Sequence, residues 1–126
     1  MFSSNKKQRY QDTVPFEERR NECERITAKY PLRIPCIVET KGKNLPPMTK
    51  CKYLIPHDLT FQQFMYVIRK RLKLTSDKGI FALIEGKIVP GSASMGLVRE
   101  QHKDPDGFTY VTITEESVFG SQVYLK

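Results

Sequence analysis

The chain has no tryptophan, two histidines, three cysteines and no apolar run long enough to span a bilayer. Each shortage removes a class of function. His57 and His102 are far apart in the sequence, and neither is paired with a serine or cysteine nucleophile in a recognisable pattern, so nothing points to an acid–base or nucleophilic centre. Cys23, Cys36 and Cys51 are odd in number and widely spaced, with no Cys-x-x-Cys pair and no neighbouring histidine. That pattern argues against a disulfide framework or a metal site and predicts buried or edge thiols. No cofactor or metal is expected, and the protein is expected not to be an enzyme. The segment GSASMG (91–96) has glycines spaced as in a phosphate loop, but Leu97-Val98 follows where Lys-Ser/Thr would be needed. The opening MFSSNKKQRYQD lacks an apolar signal core and no Asn-x-Ser/Thr sequon occurs, which predicts a cytoplasmic protein.

What is present suits a single globular domain. At 126 residues with 39% hydrophobic and 28% charged side chains, the chain can bury roughly two-thirds of its unfolded surface without staples. The net charge of +7 is uneven: residues 31–73 hold nine basic side chains against two acidic ones, which equals the whole excess. A site in that segment would sit in a positive field and attract phosphate, acidic peptide or anionic lipid.

That segment contains the most organised stretch, KYLIPHDLTFQQFMYVIRKRLKL (52–74). It predicts a strand, a tight turn and an amphipathic helix opened by a Thr60/Gln63 capping box. At about 100° per residue, Phe61, Met65, Ile68 and Leu72 form a core-facing stripe. Phe64 and Val67 lie beside it in line with Arg71, so the helix has either a wide core face or one wall of a groove shared with Tyr53, Ile55 and Pro56. Upstream, residues 1–13 are expected to be an arm or short helix. Asp12 or Thr13 would cap a helix from Pro15 whose Phe16, Cys23, Ile26 and Tyr30 recur near helical spacing, and Pro31 would end it. RIPCIVE (33–39) predicts a strand in which Pro35 marks an edge or an entry. Downstream, 80–84 and 87–89 predict short strands around a Glu85-Gly86 turn, 94–101 a short helix, 104–107 a turn and 108–114 a final strand.

This order predicts an α+β fold, a mixed sheet over one long helix in the ubiquitin-like β-grasp arrangement. A ferredoxin-like sandwich would need a second long crossover helix before the last strand, and 94–101 is too short for one.

PFEERRNECERI (15–26), KYPLRIPCIVE (29–39), the 52–74 stretch, SASMG (92–96) and ESVFG (116–120), in this order and spacing, resemble the autophagy ubiquitin-like modifiers. That is the family of the GABA type A receptor-associated protein and the microtubule-associated protein light chain. The resemblance implies a β-grasp domain over 14–119 with two additional N-terminal helices, an arm at 1–13 and a removable tail within 120–126. It implies that an autophagy cysteine protease cleaves after Gly120, next to Phe119. Ubiquitin-like activating and conjugating enzymes would then attach Gly120 to phosphatidylethanolamine on autophagosome and vacuole or lysosome membranes. It also implies docking of cargo receptors and adaptors through aromatic-x-x-aliphatic motifs. By local match, the aromatic residue would enter a pocket of Glu22, Ile26, Pro35, Lys52, Leu54 and Phe108. The aliphatic residue would enter one of Tyr53, Ile55, Pro56, Leu59, Phe64 and Val67, with Lys50 and Arg71 on a charged rim.

Two other functions remain open at this point: an unconjugated adaptor for the same peptides, and a basic cytoskeletal or nucleic-acid binding protein. Nucleic acid is not expected, because the basic run at 69–73 lacks aromatic interleaving and no nucleic-acid motif occurs.

Overall fold

The computed structural model describes residues 9–46, 51–74 and 79–115. In chain order these form α1 (Tyr10–Thr13), α2 (Phe16–Lys29), β1 (Arg33–Lys41), β2 (Lys52–Pro56), α3 (Phe61–Leu72), β3 (Ile80–Ile84), β4 (Lys87–Ile88), α4 (Met95–His102) and β5 (Thr109–Glu115). The sheet order is β2-β1-β5-β3-β4, with β1 and β5 parallel and the other neighbours antiparallel. This is the ubiquitin-like α+β arrangement with two helices ahead of it.

Strand β1 lies in the middle of two layers. Its β-branched run buries every residue from Ile34 to Val38. Ile34, Cys36 and Val38 join the main core with α3 and α4, whereas Ile37 joins a second cluster with Tyr10, Cys23 and Phe108 under α1 and α2. Pro35 is close to the strand entry, as expected, although β1 is not an edge. Backbone groups alternate direction along a strand, and β1 first pairs with β5 at Cys36–Thr109. The N–H missing from Pro35 would therefore have pointed at β5 one residue before that ladder opens.

Helix α3 begins with the expected capping box: Thr60 accepts from the Gln63 N–H at 3.2 Å and the Gln63 side chain accepts from the Thr60 N–H at 3.0 Å. Its core stripe differs from the expected one. Phe61, Phe64, Ile68 and Leu72 are buried, Phe64 completely, and Met65 is only half-buried. Tyr53 of β2 meets Phe64 edge-on at 5.9 Å, so the strand covers that side of the helix and Met65 is left at the border.

Helix α2 also departs from its periodicity. Phe16 and Tyr30 are exposed, and the buried positions are Cys23 and Arg19. Pro15 occupies the N-cap without a side-chain bond, and Asp12 and Thr13 belong to α1. Arg19 is buried because its Nε donates to Asp106 Oδ2 at 2.8 Å and its Nη1 donates to the carbonyls of Val14 and Gln11 at 2.7 and 3.2 Å. Asp106 also accepts from the Phe108 N–H and from the Tyr110 hydroxyl. Burial, reinforced by that bond to Asp106, pushes the Tyr110 hydroxyl far above its usual range. The turn carrying Asp106 reaches α2 through Gly107, where φ is +97° and a Cβ would stand 2.7 Å from Cys23 Sγ.

Replacing Asp106 by Ala strands a buried guanidinium, so Asp106→Ala is expected to lower the unfolding free energy by about 3–5 kcal/mol. Thr60→Ala, which removes only a cap, should cost about 1 kcal/mol. Urea denaturation checks both, and equal losses would contradict a buried pair.

Candidate functional site

Strand β2 is an edge of the sheet, and the register fixes which of its backbone groups are unused. Val38 donates to the Cys51 carbonyl at 2.8 Å, and Cys36 and Ile34 lie opposite Tyr53 and Ile55. Hydrogen-bonded positions alternate in an antiparallel pair, so Tyr53 and Ile55 also turn their polar groups toward β1. Lys52 and Leu54 turn theirs outward. The Leu54 carbonyl accepts from Arg33 Nη1 at 3.5 Å.

The side chains of Lys52 and Leu54 rise on the face of the sheet beneath α2. Pro35 lies opposite Leu54, and Phe108 stands at the level of Pro35, one residue before Thr109 pairs with Cys36. Together with Ile26 of α2 they border a cavity of about 370 Å³, completed by Tyr53 and Arg71. Five of the six residues assigned to the aromatic pocket thus line one opening.

The sixth, Glu22, holds Lys52. Its Oε2 accepts from Lys52 Nζ at 2.7 Å and its Oε1 accepts from the Tyr10 hydroxyl at 2.7 Å. Lys52 Nζ also stands 4.9 Å from the centre of the Tyr10 ring, which meets Phe108 edge-on at 5.8 Å. Burial alone would raise the Glu22 carboxyl, but the bonds from Lys52 and Tyr10 outweigh it and hold it below the usual carboxylate range. Burial would lower the Lys52 ammonium, but Glu22 and Tyr10 raise it. Burial pushes the Tyr10 hydroxyl up, and its bond to Glu22 adds to this. Lys52 therefore keeps its charge in a compensated form.

The aliphatic set is arranged differently. Tyr53, Ile55 and Phe64 are buried in the main core with Leu59 packed against it, Pro56 is half-buried, and Val67 is 38% exposed on α3. Arg71 lies over the Tyr53 ring, its guanidinium carbon 5.9 Å from the centre. Lys50, Phe119 and Gly120 lie outside the described residues. Cys23 and Cys36 are buried and Cys51 half-buried; burial pushes all three thiols up, Cys36 to about 12.

The site reading missed Tyr10, which closes one side of the site from a stretch expected to be an arm or short helix, where α1 forms at Tyr10–Thr13. It is the sole aromatic among residues 3–13, and that was the available signal. The Arg19–Asp106 tie that seats α2 joins positions 87 apart and left no signal.

The comparisons with known proteins agree with the fold. Residues 18–120 match the family described as autophagy protein Atg8, ubiquitin-like. Autophagy-related protein 8b of Arabidopsis thaliana is 48% identical over 111 residues, covering 87% of this chain and 91% of that protein. Autophagy-related protein 8 of Kluyveromyces lactis is 47% identical over 115 residues, covering 90% and 93%. Among solved structures, the crystal structure of Trypanosoma brucei ATG8 matches with a TM-score of 0.81 at 32% identity, covering 88% of this chain and 97% of that one.

The ion pair has a definite pH signature. The folded value of Glu22 is below its ordinary 4.5, so its stabilisation is present above pH 4.5 and is lost as pH falls through the folded value. Lys52 is raised above its ordinary 10.5, so its contribution is present below pH 10.5 and is lost as pH rises through the folded value. Glu22→Gln should therefore lower the melting temperature at neutral pH, and the gap from the unmodified protein should close in acid. A gap that does not narrow as pH falls below 4.5 would exclude this ion pair as its source.

Proposed function

This chain belongs to the Atg8 family of ubiquitin-like autophagy proteins, and from that we propose that it is a lipid-conjugated modifier that docks cargo receptors and adaptors along β2. The observation that carries the docking half is the outward-facing backbone of Lys52 and Leu54 beside the cavity bordered by Ile26, Pro35 and Phe108. An extended peptide adds a strand to such an edge through main-chain hydrogen bonds, while pockets for alternate side chains select its sequence. The aromatic residue of an aromatic-x-x-aliphatic motif enters the cavity under α2. The aliphatic residue settles over Pro56, Leu59 and Val67, with Tyr53, Ile55 and Phe64 as its floor. Acidic residues ahead of the motif meet Lys50, Lys52 and Arg71.

The conjugating half belongs to the segment after β5. A cysteine protease hydrolyses the bond between Gly120 and Ser121, releasing residues 121–126 and freeing the Gly120 carboxylate. The activating enzyme joins that carboxylate to the AMP of ATP with release of pyrophosphate, an enzyme thiol displaces AMP to form a thioester that passes to the conjugating enzyme, and the amine of phosphatidylethanolamine displaces the thiol to form an amide. Glycine suits the step because it lacks a Cβ to obstruct a narrow enzyme channel. The chain itself performs no catalysis. It acts in the cytoplasm and on autophagosome and vacuole or lysosome membranes once lipidated, with 1–13 as an arm or short helix, 14–119 as the ubiquitin-like domain and 120–126 as the processed terminus. No helix among the described residues is long and apolar enough to cross a membrane.

An acidic aromatic-x-x-leucine peptide should bind in a calorimetric titration. Leu54→Asp and Val67→Asp should each weaken it about tenfold or more, about 1.4 kcal/mol. Phe64→Ala is a poorer probe, since removing a fully buried ring costs about 3–5 kcal/mol of stability. Equal affinity for the wild type and both aspartate variants would remove β2 and α3 from the site. In cells starved to induce autophagy, Gly120→Ala should abolish the membrane-bound fraction that resists a high-salt wash. An undiminished fraction would leave an unconjugated adaptor as the surviving function.

A further inference from the structure

Helix α3 carries a second surface that neither its core stripe nor the groove uses. Phe61, Phe64, Ile68 and Leu72 point into the core. At about 100° per residue, Tyr66 and Lys70 therefore stand on the opposite crest. Tyr66 is 61% exposed, and Lys70 Nζ lies 4.7 Å from the centre of its ring. Arg69, Lys70 and Arg71 occupy the last turn, Lys73 follows at the C-cap, and the helix contains no acidic side chain. The dipole explains cations at a helix C-terminus, but it does not explain an exposed tyrosine one turn earlier.

We infer that the outer crest of α3 is a peripheral docking surface for an anionic bilayer, with Lys70 and Lys73 on lipid headgroups and the Tyr66 ring at the headgroup level. Charge complementarity selects the occupant: lysines on a helix that carries no acidic side chain are drawn to a negative membrane surface, and a tyrosine has an apolar body and a polar tip suited to that boundary. The shape selects it too. A helix crest is convex and lies against a flat surface, whereas a nucleic-acid strand needs a groove or successive stacking rings, and Tyr66 is the one aromatic on this crest. The surface does not depend on the peptide groove. Conjugation, where it occurs, strengthens it by holding the crest near the bilayer at high effective concentration.

Flotation of the full, unconjugated chain with vesicles is the test. The protein should bind phosphatidylcholine vesicles containing phosphatidylserine, release them in high salt, and ignore phosphatidylcholine alone. Lys70→Glu and Tyr66→Ala should each reduce binding about fivefold and the double variant more than about tenfold. The peptide titration should be unchanged in both variants, so a failed groove and a failed crest are read separately. Equal vesicle binding by wild type and double variant would overturn the inference. So would binding of a homopolymer RNA in preference to anionic vesicles, lost in the same variants.

Discussion

The structure depends on burying β1 from both sides. A strand whose consecutive residues Ile34 to Val38 are all inaccessible needs a separate apolar layer on each face of the sheet. On one face the layer is α3 with α4, a core built from Phe61, Phe64, Ile68, Met95 and Val98. On the other it is α1 and α2, which contribute less: Tyr10, Cys23 and part of Ile26. A β-grasp sheet covered by its long helix alone would leave Ile37 and Phe108 in water, so the N-terminal helices are a requirement of this sheet's sequence.

Because α2 brings little apolar surface, polar contacts position it. Arg19 spans the gap to Asp106, and Tyr10, Glu22 and Lys52 join α1, α2 and β2. Ion pairs fix geometry more than they add stability, since the cost of removing each charge from water opposes their attraction. Here they hold α2 at a set height over the sheet, and the space left between Ile26, Leu54 and Phe108 is the cavity. A more apolar α2 could pack directly onto those residues and would fill it. The site is open for the same reason that its lid is polar.

Elements whose signal lies in local chemistry were legible in the sequence. The Thr60/Gln63 box, the strand at Ile80–Ile84, the Glu85-Gly86 turn and the final strand all appear within a residue or so of where turn and capping residues put them. Side-chain facing was less legible wherever a contact distant in sequence decided it. Periodicity offered Met65 for the core as readily as Phe64, and the Tyr53 ring chose between them. It offered Phe16 and Tyr30 on α2, and Asp106, far along the chain, drew in Arg19 instead. In the site, the aromatic-pocket residues matched by resemblance do converge, but Tyr10 escaped notice because a single aromatic in a polar stretch carries no period.

An edge strand beside an apolar cavity invites indiscriminate pairing, so β2 must be open to the right partner while closed to copies of itself. Its features limit the wrong pairings. It is five residues long, ends at Pro56, and carries Lys52 in its first position. Two β2 edges meeting would bring two positively charged segments together, each holding nine basic residues against two acidic ones. An acidic extended peptide meets no such repulsion, and it can compete with Glu22 for Lys52 while Glu22 keeps the hydrogen bond from the Tyr10 hydroxyl. The charge excess of this segment therefore serves as both a barrier and an attraction. In the proposed docking, the same side chain would discourage self-association and favour an acidic strand.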